Sequence, residues 1–187
     1  MPSNRKLAAI IFTDIVNYTK TMERDEQFAL DLLHKQREIM LPIIEQHNGK
    51  LLKEIGDGTL MMFDIAIEAV WCAVDIQKAV QPVEGLSLRI GVHIGDVVLE
   101  VNDVFGSGVN VASRIESLAP NGGICISEDV WRQIRNHGDF IVVSLGKKKL
   151  KGINYPIEIF NVIIDPDILL SYLYFRQQLL SIYGQFR

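Results

Sequence analysis

Lys50-Leu51-Leu52-Lys53-Glu54-Ile55-Gly56-Asp57-Gly58-Thr59-Leu60-Met61-Met62-Phe63 contains two short strand patterns separated only by Gly-Asp-Gly. Such a tripeptide between apolar runs closes a tight turn, so the spacing predicts a direct hairpin with Asp57 at its tip. Upstream, Asp25 to His47 places Phe28, Leu32, Leu33, Ile39, Met40, Ile43 and Ile44 among charges and closes at Asn48-Gly49. That pattern predicts a helix or helix pair, bent near Pro42. Before it, Leu7 to Phe12 is a continuous apolar run, the mark of a strand covered on both faces. Downstream, Ile65 to Val80 has helical spacing, Pro82 to Gly85 ends it, and Leu86 to Leu99 reads as a strand. A hairpin between two helical patterns gives a βαββαβ order. The expected fold is therefore α+β, a ferredoxin-like sandwich with helices on one face of a mainly antiparallel sheet.

Additional elements follow: a helix over Val109 to Leu118, a strand at Ile124 to Ser127, a helix from Glu128 to Arg135, and strands at Phe140 to Leu145 and Ile157 to Ile163. No repeat or linker divides this stretch, so residues 1–164 are expected to form one domain. Residues 165–187 differ in composition after Asp165-Pro166-Asp167. There Tyr172, Phe175, Leu179, Ile182 and Phe186 recur at helical spacing, which predicts an amphipathic extension or a linker.

Composition narrows the function classes. With 187 residues, 48% of them hydrophobic and 22% charged, the chain has enough apolar material for its own core. Its net charge of −4 leaves no basic surplus for a nucleic-acid backbone, so an anionic ligand must be held locally. Cys72 and Cys125 stand far apart without a CxxC or a His partner at metal spacing, so neither a disulfide framework nor a zinc site is indicated, and a reducing, cytoplasmic setting is expected. The run before Asp14 is too short for a signal peptide, and Arg176, Gln177 and Gln178 interrupt the C-terminal apolar stretch. Membrane association is not indicated.

Four segments carry candidate chemistry. Phe12-Thr13-Asp14-Ile15-Val16-Asn17-Tyr18-Thr19 delivers a carboxylate from a buried strand into a polar turn. Asp14 alone reads as an ordinary cap, and Asp57 alone as an ordinary Asp-Gly turn. Together, two acidic groups at strand ends suit a pair of hard cations, which bind through few carboxylates plus substrate phosphates. Asn110 and Arg114, four apart, share one helix face. Lys147, Lys148, Lys149 and Lys151 crowd a loop that would normally be solvated but could set one amine on a phosphate. GxxxxGK[ST], GxSxG and HExxH are absent from the chain, and Gly106-Ser107-Gly108 lacks the third glycine of a dinucleotide fingerprint. His34, His47, His93 and His137 are taken as structural or surface residues.

In order and spacing, FTDIVNYT, KEIGDGTLMMF, RIGVHIGDV, NDVFGSGVNVASRIE and KLKGINYPIEIF resemble the catalytic domain of the class III nucleotidyl cyclases, from about Arg5 to Ile164. The resemblance implies that Asp14 and Asp57 hold two Mg²⁺ or Mn²⁺ per active site with the Ile15 carbonyl, and that Ile15, Val16, Asn17, Tyr18 and Thr19 wrap the phosphates. It also implies that Lys53 and Asp103 select the base, Asn110 and Arg114 act on the ribose and the transition state, and Lys151 contacts the terminal phosphates. Adenine presents an acceptor nitrogen to Lys53 and a donor amine to Asp103, whereas guanine mismatches both, at about 1–3 kcal/mol per unpaired group. ATP is thus the expected substrate and 3′,5′-cyclic AMP the expected product. The resemblance further implies a head-to-tail homodimer, each site drawing its metal carboxylates from one subunit and its base-selecting pair from the other. A noncatalytic nucleotide-binding module is the competing expectation. Retention of both carboxylates and the arginine opposes it. A diguanylate cyclase is opposed by the VNVASR segment and the absence of a GGDEF-like run.

Overall fold

The computed structural model describes residues 5–100 and 104–164. Its elements are β1 (Arg5–Ile15), α1 (Tyr18–Arg24), α2 (Glu26–Gln46), β2 (Lys50–Ile55), β3 (Gly58–Phe63), α3 (Ala66–Val80) and β4 (Leu88–Leu99). They continue with β5 (Val104–Phe105), α4 (Ser107–Glu116), β6 (Ile124–Ser127), α5 (Glu128–Ile134), β7 (Ile141–Lys148) and β8 (Ile157–Ile163). The 165–187 extension and Asp103 lie outside the described residues.

One sheet runs β2-β3-β1-β4-β6-β8-β7, with β5 paired to β4. The first four strands are antiparallel neighbours in the ferredoxin-like order. The hairpin expected around Asp57 is β2–β3, and the β4–β6 pair is the sheet's one parallel ladder among the described residues. β1 is central because both its faces are apolar. Ala9, Ile11 and Ile15 enter a large core with α2, α3 and α5, while Ala8 and Ile10 pack on the other side with Leu60, Met62 and Ala112.

That second side corrects one expectation. Helices cover both faces, because α4 lies across β1 and β4 on the face opposite α2 and α3. Its seating depends on glycine: a Cβ on Gly95 would meet the Gly108 Cα at 2.6 Å, so helix and strand touch backbone to backbone.

Two further features are local. α2 is one continuous helix through Pro42, capped by Asp25 accepting from the Phe28 N–H at 3.0 Å. A register shift between Leu51 and Lys53 interrupts the β2–β3 ladder and sets Lys53 opposite Leu60, on the α4 side of the sheet. Among the described residues, no helix is long and apolar enough to cross a membrane.

Candidate active site

The site begins where β1 runs out. Strand alternation puts Asp14 on the same face as Ala8 and Ile10, at the sheet end where the β2–β3 turn carries Asp57. The Ile15 N–H donates to Asp57 Oδ2 at 3.1 Å, tying the hairpin tip to the end of β1. The Asp14 and Asp57 side chains are neighbours. Burial first, and then the hydrogen bond and charge of Asp14, push the Asp57 carboxyl up to about 6. Two carboxylates held this near each other repel unless a proton or cation lies between them. Side by side, they form a hard-oxygen donor set that fits a divalent cation completed by substrate oxygens. Among the described residues, no three or more His, Cys, Asp or Glu side chains cluster so as to hold a metal ion by themselves.

After Ile15 the chain turns sharply. The Val16 N–H is taken by the Ser87 carbonyl at 2.8 Å, and Asn17 adopts a left-handed conformation with φ 61° at the start of α1. The first-turn N–H groups of α1, including those of Tyr18 and Thr19, have no acceptor within the helix. Tyr18 leans on the large core, and burial together with the Asp57 charge raises its phenol above the usual range.

Buried polar contacts brace this corner from behind. Gln36 of α2, 2% exposed, brings its amide nitrogen to 3.5 Å from both Thr13 Oγ1 and Thr59 Oγ1. Gln77 of α3 donates to the carbonyls of Leu88 and Gly123, each at 2.9 Å, fixing the start of β4.

The start of β4 carries a residue that the sequence reading missed. Arg89, paired across the ladder with Asp14, donates from Nη2 to Asp14 Oδ2 at 2.6 Å. Its Nε lies 2.8 Å from Oε1 of Glu116, a residue of α4 with a side chain only 5% exposed. Burial pushes the Glu116 carboxyl up to about 7 against the pull of Arg89. Both residues left a signal in the sequence. Arg89 interrupts an apolar strand, and Glu116 falls on the helix arc that otherwise carries Val111, Ala112 and Ile115.

The remaining expected residues form a second group. Asn110 and Arg114 are both exposed, on the outer face of α4. At about 100° per residue, Arg114 points some 200° away from Glu116, off the side that faces the chain's own Asp14. Lys151 is exposed in the β7–β8 connection. Its neighbour Leu150 packs with Val111 and Ile115, which brings the connection against α4. Lys53 lies on the α4 side of the sheet with β3 between its strand and β1. The chain thus gathers Asp14, Ile15, Asp57 and the Val16 to Thr19 turn at one place, and carries Asn110 and Arg114 on the outer face of α4.

Comparison with known proteins gives a consistent result. Residues 2–163 match the family model of the adenylate and guanylate cyclase catalytic domain. A putative adenylate cyclase 3 of Rhizobium meliloti is 38% identical over 164 residues, which cover 83% of this chain and 28% of that protein. The chain therefore spans little more than a quarter of that relative's length. The crystal structure of an adenylate/guanylate cyclase/hydrolase from Silicibacter pomeroyi superposes with a TM-score of 0.80 at 38% identity, covering 86% of this chain and 98% of that one. The adenylyl cyclase CyaB of P. aeruginosa shares the fold at a TM-score of 0.76 and 24% identity, over 87% and 96% of the two chains.

Proposed function

The chain belongs to the adenylate and guanylate cyclase catalytic-domain family, and we propose that it converts ATP to 3′,5′-cyclic AMP and pyrophosphate at composite sites of a homodimer. The observation that carries this reading is the orientation of α4. Asn110 and Arg114 face away from the carboxylate pair of their own protomer, while Glu116 on the same helix faces toward it. A second copy turned head to tail brings its Arg114 face to this Asp14–Asp57 corner, and the reverse pairing follows by two-fold symmetry. Exposed apolar side chains flank both groups, Ile55 beside the hairpin tip and Phe105 at the entry to α4, as an apposed surface requires.

Asp14, Asp57 and the Ile15 carbonyl would hold two Mg²⁺ or Mn²⁺ ions. When bound, such ions lower the pKa of an attacking hydroxyl and neutralise a departing pyrophosphate. The protein's own groups do the rest. In the turn over Val16, Asn17, Tyr18 and Thr19, the Val16 N–H is held by Ser87 and those of Asn17, Tyr18 and Thr19 are offered to the phosphate oxygens, while Arg89 stands beside Asp14 as a cation for the same chain of phosphates. From the partner protomer, Lys151 reaches the terminal phosphates and Asn110 orients the ribose so that its 3′-oxygen lies in line with the α-phosphorus. Arg114 stabilises the charge that grows on the α-phosphate as the 3′-oxygen bond forms and the bond to pyrophosphate breaks. Lys53 donates to the adenine ring nitrogen and Asp103 accepts from its amine. The setting is cytoplasmic, which suits two buried free thiols.

The test is to incubate the purified protein with ATP or GTP and Mg²⁺ or Mn²⁺ and identify the products. Cyclic AMP in excess over cyclic GMP is expected. Cyclic GMP in excess would overturn the base assignment, and binding of ATP with no cyclic product would favour a noncatalytic module.

A further inference from the structure

We infer that Glu116 is a positioning residue for the cation site: by sharing the Arg89 guanidinium, it keeps Asp14 from being fully neutralised and so available to a divalent ion. This rests on the reading of Asp14 and Asp57 as the cation-binding pair.

Arg89 stands between two carboxylates, 2.6 Å from Asp14 Oδ2 through Nη2 and 2.8 Å from Glu116 Oε1 through Nε. Placing a carboxylate on the buried face of α4 is costly, and an apolar residue would pack there more cheaply. The Glu116 Oε1 and Arg89 Nε atoms are buried, yet their contact lacks the alignment of a hydrogen bond. Arg89 is therefore attracted by Glu116 without being locked to it. The other Glu116 oxygen is steadied by Ser117 Oγ at 3.3 Å. Above about pH 7, where Glu116 is ionised, one positive charge divided between two negative ones leaves the cluster with a net negative charge facing the hairpin tip. Without Glu116, the Arg89–Asp14 contact stands alone as a neutral one-to-one pair, which an incoming cation must first break.

The probe is Mn²⁺ alone, titrated at a pH above 7, where Glu116 is ionised, into the full chain without nucleotide and counted by electron paramagnetic resonance, so that turnover does not enter. Glu116→Gln should weaken Mn²⁺ binding roughly tenfold, the usual scale for a residue that supports a metal ligand. Arg89→Gln should bind Mn²⁺ more tightly than wild type. In the Arg89→Gln background, adding Glu116→Gln should change the affinity less than twofold, because the competing cation is gone. An unchanged affinity in Glu116→Gln overturns the inference. So does an equal loss in both backgrounds, which would mark a direct charge effect or a purely structural one. If Glu116→Gln does not fold, Glu116→Asp keeps the charge but loses the reach, and wild-type Mn²⁺ affinity in that variant is equally fatal. Asp14→Asn separates the two levels. If it binds Mn²⁺ like wild type, the cation-site reading fails as well; if it loses binding while Glu116→Gln does not, only the role of Glu116 fails.

Discussion

Gly91 of β4 and Glu116 of α4 meet backbone to backbone: a Cβ on Gly91 would lie 2.3 Å from the Glu116 nitrogen and 2.5 Å from the Ala112 carbonyl oxygen. No rotamer change relieves a contact with main chain. Gly91→Ala must therefore push α4 off the sheet, at a cost of about 1–3 kcal/mol or more. Because the displaced helix carries Asn110 and Arg114, cyclase turnover should fall by a larger factor than stability alone explains. Chemical denaturation and a turnover assay below the unfolding transition would separate the two effects.

Arg114→Ala should reduce cyclic AMP formation by about 10²–10³, the scale for losing one donor to transition-state charge. Asp14→Ala should abolish it. Mixing the two inactive variants should partly restore turnover, because a mixed dimer contains one site with both Asp14 and Arg114 intact. No recovery in a sample shown to contain mixed dimers would argue that each site belongs to a single chain.

Base choice is open to the same kind of test. Replacing Lys53 with Glu and Asp103 with Cys removes the pattern matched to adenine and supplies an acceptor where guanine has its ring N–H. Each corrected or broken pairing is worth about 1–3 kcal/mol, so the ATP to GTP ratio of kcat/KM should fall by tenfold or more. A ratio that stays at the wild-type value would place base selection elsewhere.

His93, on the α4 side of β4, is 6% exposed, and its Nδ1 lies 2.9 Å from Ser127 Oγ. Burial lowers its imidazole to about 4, partly opposed by the charge of Asp129. The unfolded chain binds this proton from about pH 6.5 downward while the folded chain refuses it until about pH 4. The neutral ring's contribution, on the order of 3 kcal/mol, is thus intact above pH 6.5 and lost as the pH falls to 4. The unfolding free energy of wild type should drop over that window by this much more than that of His93→Gln. Parallel pH profiles for the two proteins would rule the effect out.

Much of this architecture was legible because the relevant rules are local. Two apolar runs around Gly56-Asp57-Gly58 leave few alternatives to a hairpin, and the helical spacing on either side of it supplies the βαββαβ order. Asp14 and Asp57 were visible as carboxylates at strand ends. Arg89 and Glu116 were passed over because each reads locally as a polar interruption of an apolar pattern. Only the antiparallel β1–β4 ladder, which sets Asp14 opposite Arg89, gives that interruption a partner.

The chain by itself determined which residues could bind cations, contact phosphate or discriminate a purine, since those capacities belong to side-chain chemistry and to spacing within one strand or helix. The tertiary structure decided which of them act together. The Leu51/Lys53 register shift turned Lys53 toward the α4 side, and Gly91, Gly95 and Gly108 let α4 settle on the face opposite α2 and α3. That seating aims Glu116 inward and Arg114 outward. The reason is steric: the distance at which a helix can lie on a sheet depends on atoms missing from both surfaces at once, and no single stretch of sequence contains both surfaces.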